Sequence, residues 1–537
     1  MRTTDVAAVV TLALALGACS APAQMRDGPP RSPEDLPSMR DDGSSAGPVE
    51  LGAKPGPGTG GPLPPALIPF VQPPLSALQA SGKLVVAHWH QFPISRSQGS
   101  ATSDPYKGFL DAAPGGMSIR IRPLGRPARS ESDWKLADSL VDIQWAQDIG
   151  VDAFFVNCAA DLQNPWAWPQ YTRMLEAAKQ HGGGFRVAPN IDCVNGAGGD
   201  GAWMANVIIN RLKSDGQLNS TSQLRVKGRF AVGSFHAGAC GVKFWTDLRS
   251  TLKGAGFDPH VMCVFLGGAY RAEYDGVCDS WSDWGRKDAF SAPASDYNKR
   301  YAAVAGKEPI VAAISHGDVR YKNNSNIAYE SRGSETLRVN WDEAITTGAD
   351  WAQLVTWNDL GEHAVFYPNT GEQFAFYDLT AYYIAWFKTG KKPAINKDAL
   401  YYFHRVAKGP PWPALRAGSW SNLVEAVAFL TAPATVEIIT TAGTTKKDLP
   451  AGVQVLTAPM PASGEPRFRI VRAGAVVVDV TSAFKIGPMP AKNDVVYRGG
   501  GSLRTAHGLA HPPTSICQSS TADACLMTPG EPVWLAQ

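Results

Sequence analysis

Between residues 83 and 390 the chain alternates short apolar or β-branched runs with longer amphipathic stretches, and this alternation restricts the fold more than any other feature. The runs are Leu84–Ala87, Val151–Val156, Phe185–Pro189, Arg229–Ser234, Val261–Leu266, Gly276–Cys278, Pro309–Ile314 and Trp351–Thr356. Each has the length and composition of a strand, and the lack of polar alternation in most of them predicts burial on both faces. The stretches between them set apolar residues at helical spacing, as in Leu136, Leu140 and Ile143, or Leu337, Trp341 and Ala344. Eight strands separated by helices predict an α/β fold, a (β/α)8 TIM barrel over 83–395; an open doubly wound sheet is the competing arrangement. The last helix is expected to stop at Gly390, ahead of Lys391-Lys392-Pro393. Beyond residue 400 the apolar period becomes two, which predicts an antiparallel β-sandwich over 396–537.

The chain before the barrel differs in kind. Residues 6–18 form an apolar stretch, too short to span a bilayer, that ends in Leu16-Gly17-Ala18-Cys19. This ending resembles a bacterial lipoprotein signal. It implies a signal peptide over 1–19, a lipid anchor on Cys19, and export to the cell surface or periplasm with the protein anchored to a membrane and not crossing it. Residues 20–82 are crowded with Pro, Gly and Ser and are expected to be a flexible tether.

Eight cysteines leave seven after the lipidation site. Cys517 and Cys525 are the disulfide candidates, Cys158 and Cys193 could pair if their strands are neighbours, and Cys263 and Cys278 read as buried thiols. No Cys/His spacing suits zinc, and no glycine-rich loop has a phosphate-binding setting, so neither metal nor cofactor is expected. A net charge of +2 gives no reason to expect a nucleic-acid partner. The protein is expected to act as a monomer.

Candidate chemistry collects at predicted strand ends, where a barrel carries its active site. Trp357-Asn358-Asp359-Leu360-Gly361-Glu362 follows the eighth strand and places two carboxylates three residues apart. They read either as an acid/base pair or as a capping box, in which Asp accepts a backbone N–H and Glu reaches back. Asn157 ends the second strand and Asp192 the third, positions suited to holding substrate hydroxyls or to capping a turn; His88 ends the first, as a ligand or a core histidine. Sixteen tryptophans, including Trp89, Trp166, Trp168, Trp281, Trp284 and Trp357 near strand ends, offer flat faces for sugar rings or for core packing. Trp281, Trp357 and Asn358 join the expected substrate-binding set.

Thr356-Trp-Asn-Asp-Leu-Gly-Glu362, then Phe366-Tyr-Pro368 and Ala381-Tyr-Tyr-Ile-Ala-Trp-Phe-Lys-Thr-Gly390, resemble glycoside hydrolase family 71, the α-1,3-glucanases or mutanases. Val86-Ala-His88, Gly150-Val-Asp-Ala-Phe-Phe-Val-Asn157, Phe244-Trp245 and Ser280-Trp281 extend the resemblance through the barrel. It implies a barrel with a β-sandwich, endo-hydrolysis of a polysaccharide, α-1,3-glucan, with inversion, no metal, and Asp359 and Glu362 as catalytic carboxylates. Here Glu362 is assigned as acid and Asp359 as base. Another α-glycanase, such as an endo-α-mannanase, and a non-catalytic glycan-binding lipoprotein are the alternatives. Inversion needs carboxyls roughly 6.5–9.5 Å apart, so 359–362 is expected to be an opened turn with Gly361 at positive φ. The chain departs from the family in an insertion over 91–133, rich in arginine, and in His363 where Ser is usual.

Overall fold

The computed structural model describes residues 67–90, 120–121, 134–157, 168–194, 200–266, 270–288, 309–321, 327–409, 414–416, 418–489 and 494–504. Cys19, Cys158, Trp166, Cys517 and Cys525 lie outside them, as do 1–66 and nearly all of the insertion.

Residues 67–82, which composition assigns to the tether, are packed against the rest of the protein. Ile68 and Phe70 are buried, the Phe70 ring lies 5.3 Å from Tyr382 and 6.2 Å from Phe429, and helix α1 (Leu75–Gln79) buries Leu78. Three apolar side chains at 67, 68 and 70 suffice to dock a Pro-rich segment, an effect that average composition hides.

Eight parallel strands follow: β1 (Leu84–Trp89), β2 (Ala153–Asn157), β3 (Arg186–Asp192), β4 (Arg229–Phe235), β5 (Pro259–Phe265), β6 (Ser280–Asp283), β7 (Val311–Ile314) and β8 (Trp351–Leu354). They pair in the order β6-β5-β4-β3-β2-β1-β8-β7, and a parallel bridge from Trp281 to Ile310 joins the ends. The result is a nearly closed barrel, not an open sheet. Helices α2 (Trp134–Asp148), α3 (Trp168–His181), α4 (Gly201–Ser214), α5 (Ala237–Gly254), α6 (Glu335–Thr346) and α7 (Ala375–Thr389) cover it. Strand residues divide by parity: Val86, Phe155, Ala188, Met262 and Ala313 fill the interior, while Ala87, Phe154, Val187, Cys263 and Ile314 pack towards the helices. Gly390 ends α7 at φ 71° with its N–H on the Trp386 carbonyl, the expected stop.

The sixth strand lies beyond the expected run Gly276–Cys278. Its sequence, Ser-Trp-Ser-Asp, lacks an apolar signal because Ser280 and Ser282 face the interior, where their hydroxyls bond His260 (3.1 Å) and the Val311 carbonyl (3.0 Å). The cysteine expectations are corrected as well. Cys193 is bonded to Cys240 on α5, which rules out pairing with Cys158, and Cys263 is bonded to Cys278 and is no thiol. Spacing could not reveal this, since only the fold brings the turn after Tyr274 back over β5.

The C-terminal part contains two four-stranded antiparallel sheets. One orders β13 (Gly452–Pro459), β10 (Leu423–Leu430), β9 (Ala399–His404) and β16 (Arg498–Gly501); the other orders β12 (Gly443–Leu449), β11 (Ala434–Thr440), β14 (Arg467–Arg472) and β15 (Ala475–Thr481). They share a buried cluster that includes Leu400, Tyr402, Val424, Val436, Ile438, Phe468 and Ile470. The sheets also hold the loop after β7. Arg405 pairs with the buried Glu330 at 2.8 Å, Tyr497 donates to the same carboxylate, and Ala414–Leu415 pairs in parallel with Ile327–Ala328.

Candidate active site

The 357–362 segment turns back on itself. Asn358–Asp359 pairs antiparallel with Ala364–Val365, and Thr356 secures the hairpin by donating its hydroxyl to the Ala364 carbonyl (2.8 Å) while accepting the Asp359 N–H (2.7 Å). No helix starts here. Asp359 Oδ1 accepts the Glu362 N–H at 3.2 Å, which is half of a capping box. The Asp359 N–H is already taken by Thr356, so the other half is missing and the Glu362 carboxylate turns elsewhere. The left-handed residue of the turn is His363 (φ 51°), not Gly361 as expected.

Two contacts bind this hairpin to the end of β1. The Trp357 N–H donates to the His88 carbonyl (2.8 Å), and the Asn358 side chain takes both backbone groups of His90, accepting its N–H at 2.7 Å and donating to its carbonyl at 3.2 Å. Asn358, expected to touch substrate, is a clamp between strand ends. The clamp sets His90 Nε2 3.6 Å from Asp359 Oδ2.

Glu362 faces the loop after β7. Arg320 forms a two-point pair with Asp318, at 2.9 and 2.5 Å, and extends its third nitrogen to Glu362 Oε1 at 3.0 Å. Burial pushes the Asp318 carboxyl above its usual range; Arg320 pulls against this and the Glu362 charge adds to it. His363 bonds the Val319 carbonyl through Nδ1 (2.7 Å) and accepts the Arg120 N–H at Nε2 (2.8 Å), so its ring is the neutral Nδ1–H form. Burial, the largest cause, lowers its pKa to about 3. This one residue joins the returning end of the insertion, the β7 loop and the β8 hairpin. Arg120 itself is buried with its guanidinium 4.4 Å from the Tyr321 ring centre, so it is neither a solvated loop residue nor a group open to glycan.

His88 shares the interior parity of Val86 and is fully buried at the mouth, 4.9 Å from the rings of His90 and Trp284. Burial first, then the neighbouring His90 and Lys287, hold its pKa well below the ordinary value, so it is neutral. Asn157 lies on the same parity at the end of β2 and is nearly buried. Asp192 ends β3 and accepts the Val194 N–H at 2.9 Å, the turn-capping role that the sequence left open.

The tryptophans correct the aromatic expectation. Trp281 and Trp357 point into the layer between strands and helices, Trp281 against Phe265 and Tyr270, Trp357 with no exposed surface against Phe154 and Tyr367. Trp281 has the parity of the outward residues, and Trp357, beyond the end of β8, lies in the same outward layer, so neither offers a face to a sugar. Trp89 also faces outward, donating to Asp142. Trp284, just past β6, is the one that lines the mouth, beside Phe235 and His88. His90, Asp318, Arg320 and Lys287 were missed as site residues. Asp318, four residues past β7, obeys the strand-end rule that found Asp359, whereas Arg320 carries no signal of its own in sequence.

Comparison with known proteins identifies the family. Residues 128–493 match the model of Glycosyl hydrolase family 71. A glucan endo-1,3-alpha-glucosidase of Schizosaccharomyces pombe is 23% identical over 394 residues, covering 67% of this chain and 89% of the relative. A mutanase of Penicillium rubens is 24% identical over 383 residues, covering 64% and 80%. Among solved structures, a GH99 endo-alpha-mannosidase from Bacteroides thetaiotaomicron aligns with a TM-score of 0.45 at 12% identity, over 57% of this chain and 98% of that one. With a family model spanning most of its barrel and all but one strand of the antiparallel sheets, the chain belongs to glycosyl hydrolase family 71 and is a glycoside hydrolase.

Proposed function

We propose that the protein is an endo-acting α-1,3-glucanase that inverts the anomeric centre, with Glu362 as general acid and Asp359 as general base. The observation that carries this reading is the hairpin after β8, which holds both carboxylates at the barrel mouth with separate neighbours, His90 for Asp359 and Arg320 for Glu362. Two carboxylates with unlike surroundings suit two unlike tasks: one group protonates the leaving oxygen while the other activates water on the opposite face of the sugar. The names of the two relatives support the choice of glucan and linkage. The two antiparallel sheets are read as a β-sandwich that braces the β7 loop through Arg405 and Glu330.

The test is hydrolysis of a panel of α-glucans and α-mannans by the native protein and by Asp359→Asn and Glu362→Gln. Each variant is expected to lose about 10²–10⁴-fold in kcat on α-1,3-glucan. Proton NMR during early turnover should show the β-anomer first. An α-anomer, or full activity in either variant, overturns the assignment.

Export and a lipid anchor on Cys19 complete the proposal. The disulfides Cys193–Cys240 and Cys263–Cys278 support an oxidising compartment. Replacing Cys19 with Ser should move the protein from the membrane fraction to the soluble one; retention in the membrane counts against the anchor.

A further inference from the structure

Across the mouth, from the end of β1 to the segment just past β6, three buried side chains keep polar groups without a hydrogen-bond partner among the described residues. They are both ring nitrogens of His88, Nε1 of Trp284 and Nζ of Lys287. Their exposures are 1%, 8% and 7%, so bulk water does not satisfy them. They also form one cluster: the Trp284 ring centre lies 4.9 Å from that of His88 and 5.6 Å from the Lys287 ammonium. The charge of Lys287 is felt by His88 on β1 and by His316 and Asp318 after β7, which puts the ammonium inside the mouth and not on the barrel's outer wall.

Buried polar groups are ordinarily paired, and an ammonium left without hydrogen bonds is among the most costly exceptions. Three such exceptions converging beside a pair of carboxylates point to a ligand that supplies the partners. The atoms specify its chemistry. Trp284 and Lys287 only donate, whereas neutral His88 donates through one nitrogen and accepts through the other. An oxyanion would satisfy the donors but leave the His88 acceptor unpaired, and Asp318 lies within electrostatic range of Lys287. Vicinal hydroxyls of an uncharged sugar both accept and donate, and so match the full set.

We propose that His88, Trp284 and Lys287 form a subsite that binds the hydroxyls of one neutral glycosyl unit next to the Asp359–Glu362 pair, with Lys287 fixing the orientation of that unit. The subsite rests on the reading of the protein as a glycan hydrolase, but not on which α-glycan it cleaves.

Lys287→Met keeps the length and apolar body of the side chain and removes the donors. On the best substrate of the panel, it should raise KM about 10- to 100-fold, the loss of one charge-assisted hydrogen bond, while kcat changes little. Trp284→Phe keeps a ring and removes only the N–H, and should raise KM by a smaller factor. Calorimetric titration of the same oligosaccharide into Glu362→Gln, with and without Lys287→Met, should show the same loss of affinity without turnover. Unchanged KM and affinity in Lys287→Met overturn the subsite, as does a fall in kcat at constant KM. An effect confined to uronate-bearing or sulfated oligosaccharides overturns the neutral-sugar assignment. If the native protein cleaves no α-1,3-glucan but another member of the panel, the proposed specificity fails, and the subsite is still judged on that other glycan.

Discussion

Two clusters at one barrel mouth hold polar groups of similar kinds in opposite states. On the β7–β8 side, Asp318, Arg320, Glu362, Asp359 and His363 are bound to one another or to backbone, and Asn358 binds the hairpin to β1. Between the ends of β1 and β6, His88, Trp284 and Lys287 are buried with their polar atoms unpaired among the described residues. The contrast separates two demands on a site. Groups that act on a bond must already stand in the right geometry, because reorganising them during the reaction adds to the barrier. Groups that recognise a substrate gain most when their partners come from the substrate itself, since pairing within the protein would compete with binding.

Mutation should divide along the same line. The largest effect is expected of Asp359→Asn and Glu362→Gln, which remove the proposed acid and base. Next is Arg320→Met. It releases Glu362 from its guanidinium and strips a fully buried Asp318 of its counter-charge, so kcat should fall about 10- to 100-fold with KM within a few-fold of native, as expected of an interaction that matters in the transition state. Arg320→Lys should recover little, because an ammonium cannot span two carboxylates as the planar fork does. A rise in KM at constant kcat would put Arg320 with the binding side and erase the distinction.

The smallest effect concerns stability. Glu372 lies behind the hairpin, bonded to Asn369 at 2.9 Å, with an oxygen 3.8 Å from His316, and burial pushes its pKa up to about 8. In the unfolded chain it titrates near its ordinary 4.5, so between these values the folded state holds the extra proton and stability falls as pH rises. Glu372→Gln should flatten the decline of the melting temperature from pH 5 to 8. It will not abolish it, since Asp148 (about 7) and Asp378 (about 6) are raised by burial in the same sense. An unchanged slope would show that Glu372 is not held neutral behind the hairpin.

The legible parts of the molecule were those written in local pattern. Seven of the eight barrel strands overlap apolar runs, and the α7 stop is spelled out by Gly390. The exception, β6, shows the limit, because its interior serines are satisfied by His260 and the Val311 carbonyl, contacts that come from other strands. Site residues divide in the same way. Asp359 and Glu362 follow β8, and His88 and Asn157 lie at the ends of β1 and β2, where position along a strand singles them out as candidates. Trp281 and Trp357 also lie at strand ends but face outward: Trp281 is one residue out of step with the interior serines of β6, and Trp357 follows a chain that has already left β8.

By itself, then, the sequence determined the barrel, its antiparallel companion and the place of the carboxylate pair, because alternation, period and strand-end position are properties of neighbours along the chain. Only the tertiary structure decided which groups meet that pair. Arg320, Asp318 and His90 reach it from the ends of β7 and β1, Arg405 just after β9 braces the β7 loop through Glu330, and the disulfides join residues 47 and 15 positions apart. These contacts depend on how the strands close into a barrel, and closure brings together residues far apart in sequence whose local patterns carry no trace of one another.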